Sequence, residues 1–429
     1  MKTLGMLAGA NGKHRMHDTA QFDRHVLSNG IVVWLQKPVI QTDYRGYLSV
    51  FFAGVGENID PINRKGLAHF FEHMMFRGSV NRPTKDLLID PITGNSGFIN
   101  ANTSRWYTEY QVQIHSDLLK IAAEILADML MNPLFESKII PIEKQVVLGE
   151  IREHRITGEQ LKGVHGKKVV YPKNHPFLVQ DRGYPSHLER ITENDLHDFF
   201  QENYHAGRAN IICGGNFSFR DDVLDILENF FGKMRSGTAW SGVVAPYRAN
   251  KSGDYSFVDR RFVTDSFDLC YFFDALEDRQ YRALDFLISS IGCSFGSPLF
   301  HELREKHGWV YSFSLSCHKT SEGPFALFTS TLDPKRFSDA QQIFFEVLRN
   351  ISEDFIIRRM REAQMRREIG FQDSIDVCKG TAIEIMIDGN ACSYSESENA
   401  TDDLLLEDVL SWRDKLLSLK PLVIKFLTK

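Results

Sequence analysis

The chain has 429 residues, of which 43% are hydrophobic and 25% charged, and its formal net charge is −6. This length exceeds what one hydrophobic core usually serves, so we expect two domains. The acidic balance gives no basic field for nucleic acid, and no apolar stretch approaches the length of a transmembrane helix. We therefore expect a globular protein with no nucleic-acid partner and no membrane insertion.

The first predicted elements are strands. Asn29-Gly30 is typical of a type I′ hairpin turn, and the β-branched run at 31–33 follows it directly. The segment YLSVFFAGVG predicts a second strand that its glycines end. The chain therefore begins with β-structure.

A helix with an apolar surface follows these strands. The segment GLAHFFEHMMF, residues 66–76, predicts a helix that Gly78 stops. GFINAN and TEYQVQIH then predict strands, and the apolar periodicity predicts two longer helices, at about 116–132 and 142–155.

Two parts of the sequence share one layout. A helix followed by an apolar strand ends each part, and the spacing from Asp195 to Ile211 equals that from Asp408 to Ile424. The pattern indicates an α+β fold of two homologous halves, each a mixed or antiparallel sheet with helices packed on it. The alternative is that helix–strand endings, which are common in proteins of this class, coincide here.

The predicted domain bounds follow from a composition change. The segment between the halves is rich in Gly, Ser, Pro and Ala and lacks periodicity. We place a metal-binding domain at 1–232, a linker at 233–250 and a domain without metal at 251–429.

The helix at 66–76 carries a metal-binding pattern. His69 and His73 lie four residues apart, so one helix face presents both imidazoles, and Glu72 lies between them. In HxxEH sites two histidines bind zinc and the carboxylate acts as a general base. The alternative is a pair of surface histidines beside a glutamate. The apolar flanks favour the metal, because burying three polar groups without a shared partner is costly.

A third ligand must come from another element. On the helix IEKQVVLGEIREH, Glu143 and Glu150 lie two turns apart on one face, whereas Glu153 and His154 lie in a charged run typical of a solvated surface. Residue chemistry alone leaves Glu150 and His154 as the main candidates.

The chain resembles the pitrilysin and insulinase family of zinc metallopeptidases, particularly its short two-domain type, which includes the mitochondrial processing peptidase and bacterial relatives. The resemblance is carried by LSNGIVVWL, GLAHFFEHMMFRGS, GFINANTSRWYTEY, EKQVVLGEI and GSPLFHELREKHGWVYSFS, in this order. It implies one zinc ion per chain, with ligands His69, His73 and Glu150. It also implies Glu72 as the catalytic base and Glu143 as an auxiliary acidic residue.

The resemblance implies further residues that contact substrate. A strand that adds the peptide to a sheet edge falls on Gly97, Phe98, Ile99, Asn100 and Ala101, and backbone pairing of that kind accepts many sequences. Arg304 and Tyr311 match a pair that reaches the substrate across a chamber. Without the resemblance, an exposed helix arginine and a strand tyrosine would be the simpler interpretation.

Together these observations predict a zinc endopeptidase that cleaves peptides or unfolded segments inside a closed chamber. We expect a homodimer, with a heterodimer as the alternative, because the two-domain relatives take the arginine and tyrosine from a partner. A competing hypothesis is a non-catalytic peptide-binding subunit. The six widely spaced cysteines form no CxxC pair, which indicates reduced thiols and a cytoplasmic location, with an organelle matrix as the alternative.

Overall fold

The structure is a computed structural model. It describes residues 22–37, 44–153, 158–172, 178, 182–240, 252–274, 276–292, 296–319, 323–369, 375, 378, 379, 385 and 404–429. Two sheets, each covered by helices, account for most of these residues.

The first sheet has six strands in the order β1-β2-β6-β3-β5-β4. Only the pairing of β2 with β6 is parallel. Strand β4 lies at one edge of the sheet, where it pairs with β5 alone. The strands are β1 Phe22–Val26, β2 Val32–Gln36, β3 Arg45–Ala53, β4 Phe98–Thr103, β5 Tyr107–His115 and β6 Ala209–Gly215.

The second sheet has five strands in the order β7-β11-β8-β10-β9, and only β7 and β11 pair in parallel. This order repeats that of β2-β6-β3-β5-β4 in the first sheet, so the predicted α+β fold with two homologous halves is confirmed. The strands are β7 Gly253–Val258, β8 Ser266–Phe272, β9 Phe313–His318, β10 Phe325–Thr331 and β11 Leu422–Leu427.

Helices cover both sheets. In the first half they are α1 Leu67–Met75, α2 Lys85–Thr93, α3 Leu119–Met131, α4 Ile140–Glu153, α5 Gly158–Val170, α6 Pro185–Leu188, α7 Glu193–Asn203 and α8 Val223–Phe231. In the second half they are α9 Asp278–Ile291, α10 Pro298–Phe300, α11 Phe337–Asn350, α12 Glu353–Ile369 and α13 Leu406–Ser418, and a π-helix spans His301–Lys306. None of the described helices combines the length and hydropathy needed to span a bilayer.

The predicted hairpin forms between β1 and β2. The amide of Leu27 donates to the carbonyl of Ile31 at 2.9 Å, and Gly30 adopts a φ of 93°. Asn29 does not share the positive φ, so the predicted type I′ geometry is wrong. Instead the Gly30 amide donates to the Leu27 carbonyl at 2.9 Å, and the left-handed conformation falls on glycine alone. The hairpin aligns Val26 with Val32 and so fixes the register of the first two strands.

Each half lends apolar side chains to the sheet of the other half. Helix α5 places Leu161, Val169 and Val170 in one cluster with Cys270 of β8 and with Leu422, Ile424 and Phe426 of β11. In the opposite direction Ile375, Cys378 and Ile385 pack with Trp34, Tyr47, Phe51 and Ile212 of the first sheet. The two halves therefore share buried surface.

The predicted linker is only partly described. Its residues 233–240 contain no helix or strand, and 241–250 lie outside the described residues. The domain bounds remain a prediction.

Candidate metal centre

Helix α1 begins in a tightly fixed turn. Gly66 precedes it with a φ of 98°, and its amide donates to Asp60 Oδ2 at 2.6 Å. The amide of Ala68 donates to Asp60 Oδ1 at 2.8 Å. Asp60 therefore accepts two of the amide protons that every helix leaves unpaired at its first turn, and it does so from outside the helix.

The apolar side of α1 anchors it in the core. Phe70, Phe71, Met74 and Met75 are fully buried. The Phe71 ring lies 4.7 Å from the ring of Tyr204 and 5.0 Å from that of Phe199, both measured between centroids. Burial on this side directs the polar residues of α1 toward α4 and β4.

Three side chains from two helices converge at one point. His69 and His73 of α1 and Glu150 of α4 each offer a ligand atom, and these atoms all lie within 4.8 Å of one another. His69 Nε2 is 3.6 Å from Glu150 Oε2, and His73 Nε2 is 3.5 Å from Glu150 Oε1. No second cluster of this kind occurs among the described residues. Two imidazole nitrogens and one carboxylate oxygen are a donor set that suits zinc, with a further coordination position left for water or substrate.

The competing ligands differ in what the structure shows of them. Glu153 is exposed at the end of α4, and His154 lies outside the described residues. Glu150, by contrast, belongs to the three-residue cluster.

Glu143 contacts the Nδ1 side of the His73 ring. Its Oε1 lies 2.8 Å from His73 Nδ1, and its Oε2 forms an ion pair with Arg77, two residues after the end of α1. Only 3% of the Glu143 side chain is exposed. A proton on Nδ1 that donates to this carboxylate leaves Nε2 with its lone pair toward the cluster, as a metal ligand requires.

Glu72 is buried beside the cluster. Thr103 Oγ1, at the end of β4, donates to Glu72 Oε2 at 2.5 Å. Burial raises the pKa of Glu72 above its usual value, and the hydrogen bond from Thr103 acts in the opposite direction. A carboxylate with a raised pKa takes up a proton more readily, which suits a general base.

A loop from the segment after α5 also reaches the cluster. Arg182 Nε lies 3.7 Å from Glu150 Oε2, and the Arg182 amide donates to Glu57 Oε1 at 2.9 Å. Glu57 is buried and pairs with Arg105 at 3.1 Å. Arg182, Glu57 and Arg105 thus form a chain of contacts beside the cluster.

The cluster opens into a cavity of about 1230 Å³ between the two halves. One wall is the edge strand β4 with Gly97 before it, and the opposite wall comes from α5 and from β8, β10 and β11 of the second sheet. Asn100 and Phe98 on β4 are exposed, while Ile99 and Ala101 are partly buried. The unpaired edge of β4 therefore lines the same cavity as the cluster of His69, His73 and Glu150.

Arg304 and Tyr311 lie elsewhere. Arg304 belongs to the π-helix, and its guanidinium carbon is 5.0 Å from the centre of the Tyr311 ring. Tyr311 is 84% exposed, and neither residue lines the cavity. Within one chain, the structure does not bring this pair to the metal ligands.

The fold is that of a two-half α+β protein, and its first half carries an HxxEH sequence whose histidines form, with Glu150, a possible metal site. Two family models match the sequence: "Insulinase (Peptidase family M16)" over residues 47–161 and "Peptidase M16 inactive domain" over residues 190–363. The chain belongs to this family, the insulinase or M16 peptidases.

Relatives agree with this assignment. An uncharacterized zinc protease of Bacillus subtilis is 24% identical over 89% of this chain and 88% of its own. A probable beta subunit of the mitochondrial-processing peptidase of Arabidopsis thaliana is 30% identical over 56% of this chain and 45% of its own. The crystal structure of a protease from Helicobacter pylori has a TM-score of 0.78 at 17% identity and covers 95% of this chain and 99% of its own, which shows the shared fold.

Sequence reasoning did not identify Thr103, Arg77 or Arg182 as parts of the site. A weak signal existed for Arg77, because it lies one helical turn after His73 and so shares its face. Arg182 gave none, since only the tertiary fold brings its loop to α1 and α4.

Proposed function

We propose that this protein is a zinc endopeptidase that hydrolyses extended peptides or unfolded segments. The observation that carries the proposal is the convergence of His69, His73 and Glu150 within 4.8 Å, with buried Glu72 beside them at the edge of a large cavity. These donors fit zinc in number and kind. Zinc held there would polarise the scissile carbonyl and lower the pKa of a water molecule.

The residues of the chain perform the remaining steps. Glu72 accepts the proton of the attacking water and passes it to the leaving amine. Thr103 orients the Glu72 carboxylate through its hydrogen bond, and Glu143 holds the His73 ring. The edge of β4 pairs with the substrate backbone, which aligns the peptide along the ligands with little dependence on side chains.

The experiment pairs metal analysis with cleavage of a quenched, unstructured peptide. Purified protein is expected to hold about one zinc per chain and to cleave the peptide, whereas Glu72→Gln should retain zinc and lose turnover. Full activity in Glu72→Gln would rule out the assigned base. A preparation without zinc and without cleavage, alone or with candidate partners, would favour the non-catalytic peptide-binding subunit.

We propose in addition that two copies of the chain complete each other's sites. The supporting observation is the pair formed by half-buried Arg304 and exposed Tyr311, which does not line the cavity of its own chain. If a partner supplies this pair, mixing Glu72→Gln with Arg304→Ala creates mixed dimers with one intact site.

The mixing experiment has a simple expectation. With free subunit exchange, the two inactive variants together should recover roughly a quarter of wild-type activity. No recovery in a mixture that gel filtration shows to be dimeric would contradict the shared site. A lone chain that is monomeric and inactive until a second protein is added would favour the heterodimer.

A further inference from the structure

The loop that carries Arg182 is pressed against the start of α1. A Cβ added to Gly66 would lie 2.5 Å from the Arg182 carbonyl oxygen, and one added to Gly183 would lie 2.0 Å from the carbonyl oxygen of Lys65. Real side chains do not tolerate such distances to backbone. The loop and the first turn of the histidine-bearing helix are therefore in direct backbone contact.

Arg182 itself is held in an unfavourable conformation. Its φ is 65°, in the left-handed region that residues other than glycine rarely adopt. Its amide donates to Glu57 Oε1 at 2.9 Å, and Arg105 pairs with Glu57 Oε2 at 3.1 Å. Surrounding contacts thus impose this conformation, and unfavourable backbone of this kind clusters at functional sites.

In this conformation the Arg182 side chain reaches Glu150, the third proposed ligand. Arg182 Nε lies 3.7 Å from Glu150 Oε2, the oxygen that is itself 3.6 Å from His69 Nε2. This Nε is buried and has no hydrogen-bond partner among the described residues. A buried guanidinium nitrogen placed beside a carboxylate oxygen attracts that oxygen and so restricts the orientation of the carboxylate.

The ligand Glu150 is more exposed than either histidine of the cluster. Its side chain is 32% exposed and rotates about three bonds, whereas His73 is fixed by the buried carboxylate of Glu143. Partners behind a metal ligand typically set its orientation, and their loss weakens metal binding.

We propose that Arg182 is a positioning residue that holds the Glu150 carboxylate in its metal-binding orientation. The contacts of Arg182 with Glu57 and with Glu150 then join the segment before α1 to α4. The two helices that supply ligands therefore keep one relative placement. This inference rests on the proposed zinc site, and its consequences are measured on metal binding as well as on cleavage.

The test compares Arg182→Ala with Arg182→Lys in the full-length protein. Both variants have a Cβ and so carry the same backbone strain, and only lysine restores the charge. Zinc affinity is measured by competition with a chelator, and the site geometry by the visible spectrum of the cobalt(II)-substituted protein. Arg190→Ala is the control, because Arg190 is exposed on the same stretch of chain.

Arg182→Ala is expected to bind zinc 10- to 100-fold more weakly, which is the usual range for residues behind a ligand, and to show an altered cobalt spectrum. Arg182→Lys should recover part of the affinity, and Arg190→Ala should match the wild type. Wild-type affinity and spectrum in Arg182→Ala would overturn the proposal, as would equal losses in the alanine and lysine variants. Wild-type protein that binds no zinc would contradict the metal site itself, which distinguishes the two failures.

Discussion

The packing of α1 predicts a large and specific effect of Phe71→Ala. Phe71 is fully buried, and its ring lies 4.7, 5.0 and 5.3 Å from the rings of Tyr204, Phe199 and Phe135. Removing a buried phenylalanine side chain costs about 3–5 kcal/mol, because apolar contacts are lost and a cavity remains. The unfolding free energy of the metal-free protein should fall by that amount.

Zinc should still bind the folded variant, because Phe71 packs into the core while the ligands face the cavity. At a zinc concentration one hundred times Kd, both proteins should gain about 2.7 kcal/mol of stability. Urea unfolding with and without zinc measures both effects through the midpoint and slope of the transition.

Phe219→Ala is the matched control for this measurement, since Phe219 is 50% exposed. Its cost should be about 1 kcal/mol or less. The reasoning is refuted if Phe71→Ala costs no more than this control. It is also refuted if the zinc increment disappears in Phe71→Ala, because the core packing and the site would then not be separable.

Three further predictions concern the surroundings of the site. Glu143→Gln should weaken zinc binding 10- to 100-fold in a chelator competition, and unchanged affinity would contradict the orienting role. Gly183→Ala should lower the thermal midpoint more than Gly308→Ala, because both have positive φ but only the first meets backbone, the Lys65 carbonyl, at 2.0 Å; equal shifts would contradict that contact. Burial raises the pKa of Asp268 from 3.8 to about 6, so its folded form holds a proton more tightly than the unfolded chain. The stability this contributes is present below about pH 4 and lost as pH rises through 6, so wild type should lose stability relative to Asp268→Asn across this window in urea unfolding; a constant difference would contradict it.

The sequence predicted those elements that depend on interactions between residues close together in the chain. The apolar pattern of 66–76 predicted a helix, and α1 spans Leu67–Met75. The Asn29-Gly30 pair predicted the hairpin but not its turn type, because Gly30 adopts a positive φ and Asn29 does not. Likewise the equal spacings at Asp195 and Asp408 predicted the repeated halves, since each reports one helix followed by one strand.

The rest depends on contacts between distant segments. Residue chemistry left Glu150 and His154 open, because only the packing of α4 on α1 decides which one faces the histidines. Thr103, at the end of β4, meets Glu72 of α1 although helix α2 lies between them in the chain, and Arg182 belongs to a loop more than thirty residues after Glu150. Helix α5 packs on the second sheet, and periodicity within α5 does not specify its partner.

X-ray absorption at the zinc edge tests the central claim most directly, because it reports the atoms bound to the metal in the purified protein. The account predicts nitrogen and oxygen ligands at about 2.0–2.2 Å with outer-shell scattering from two imidazoles. His73→Ala should remove part of the imidazole signal. A sulfur shell at about 2.3 Å, or a spectrum that His69→Ala and His73→Ala both leave unchanged, would contradict the site on α1 and α4.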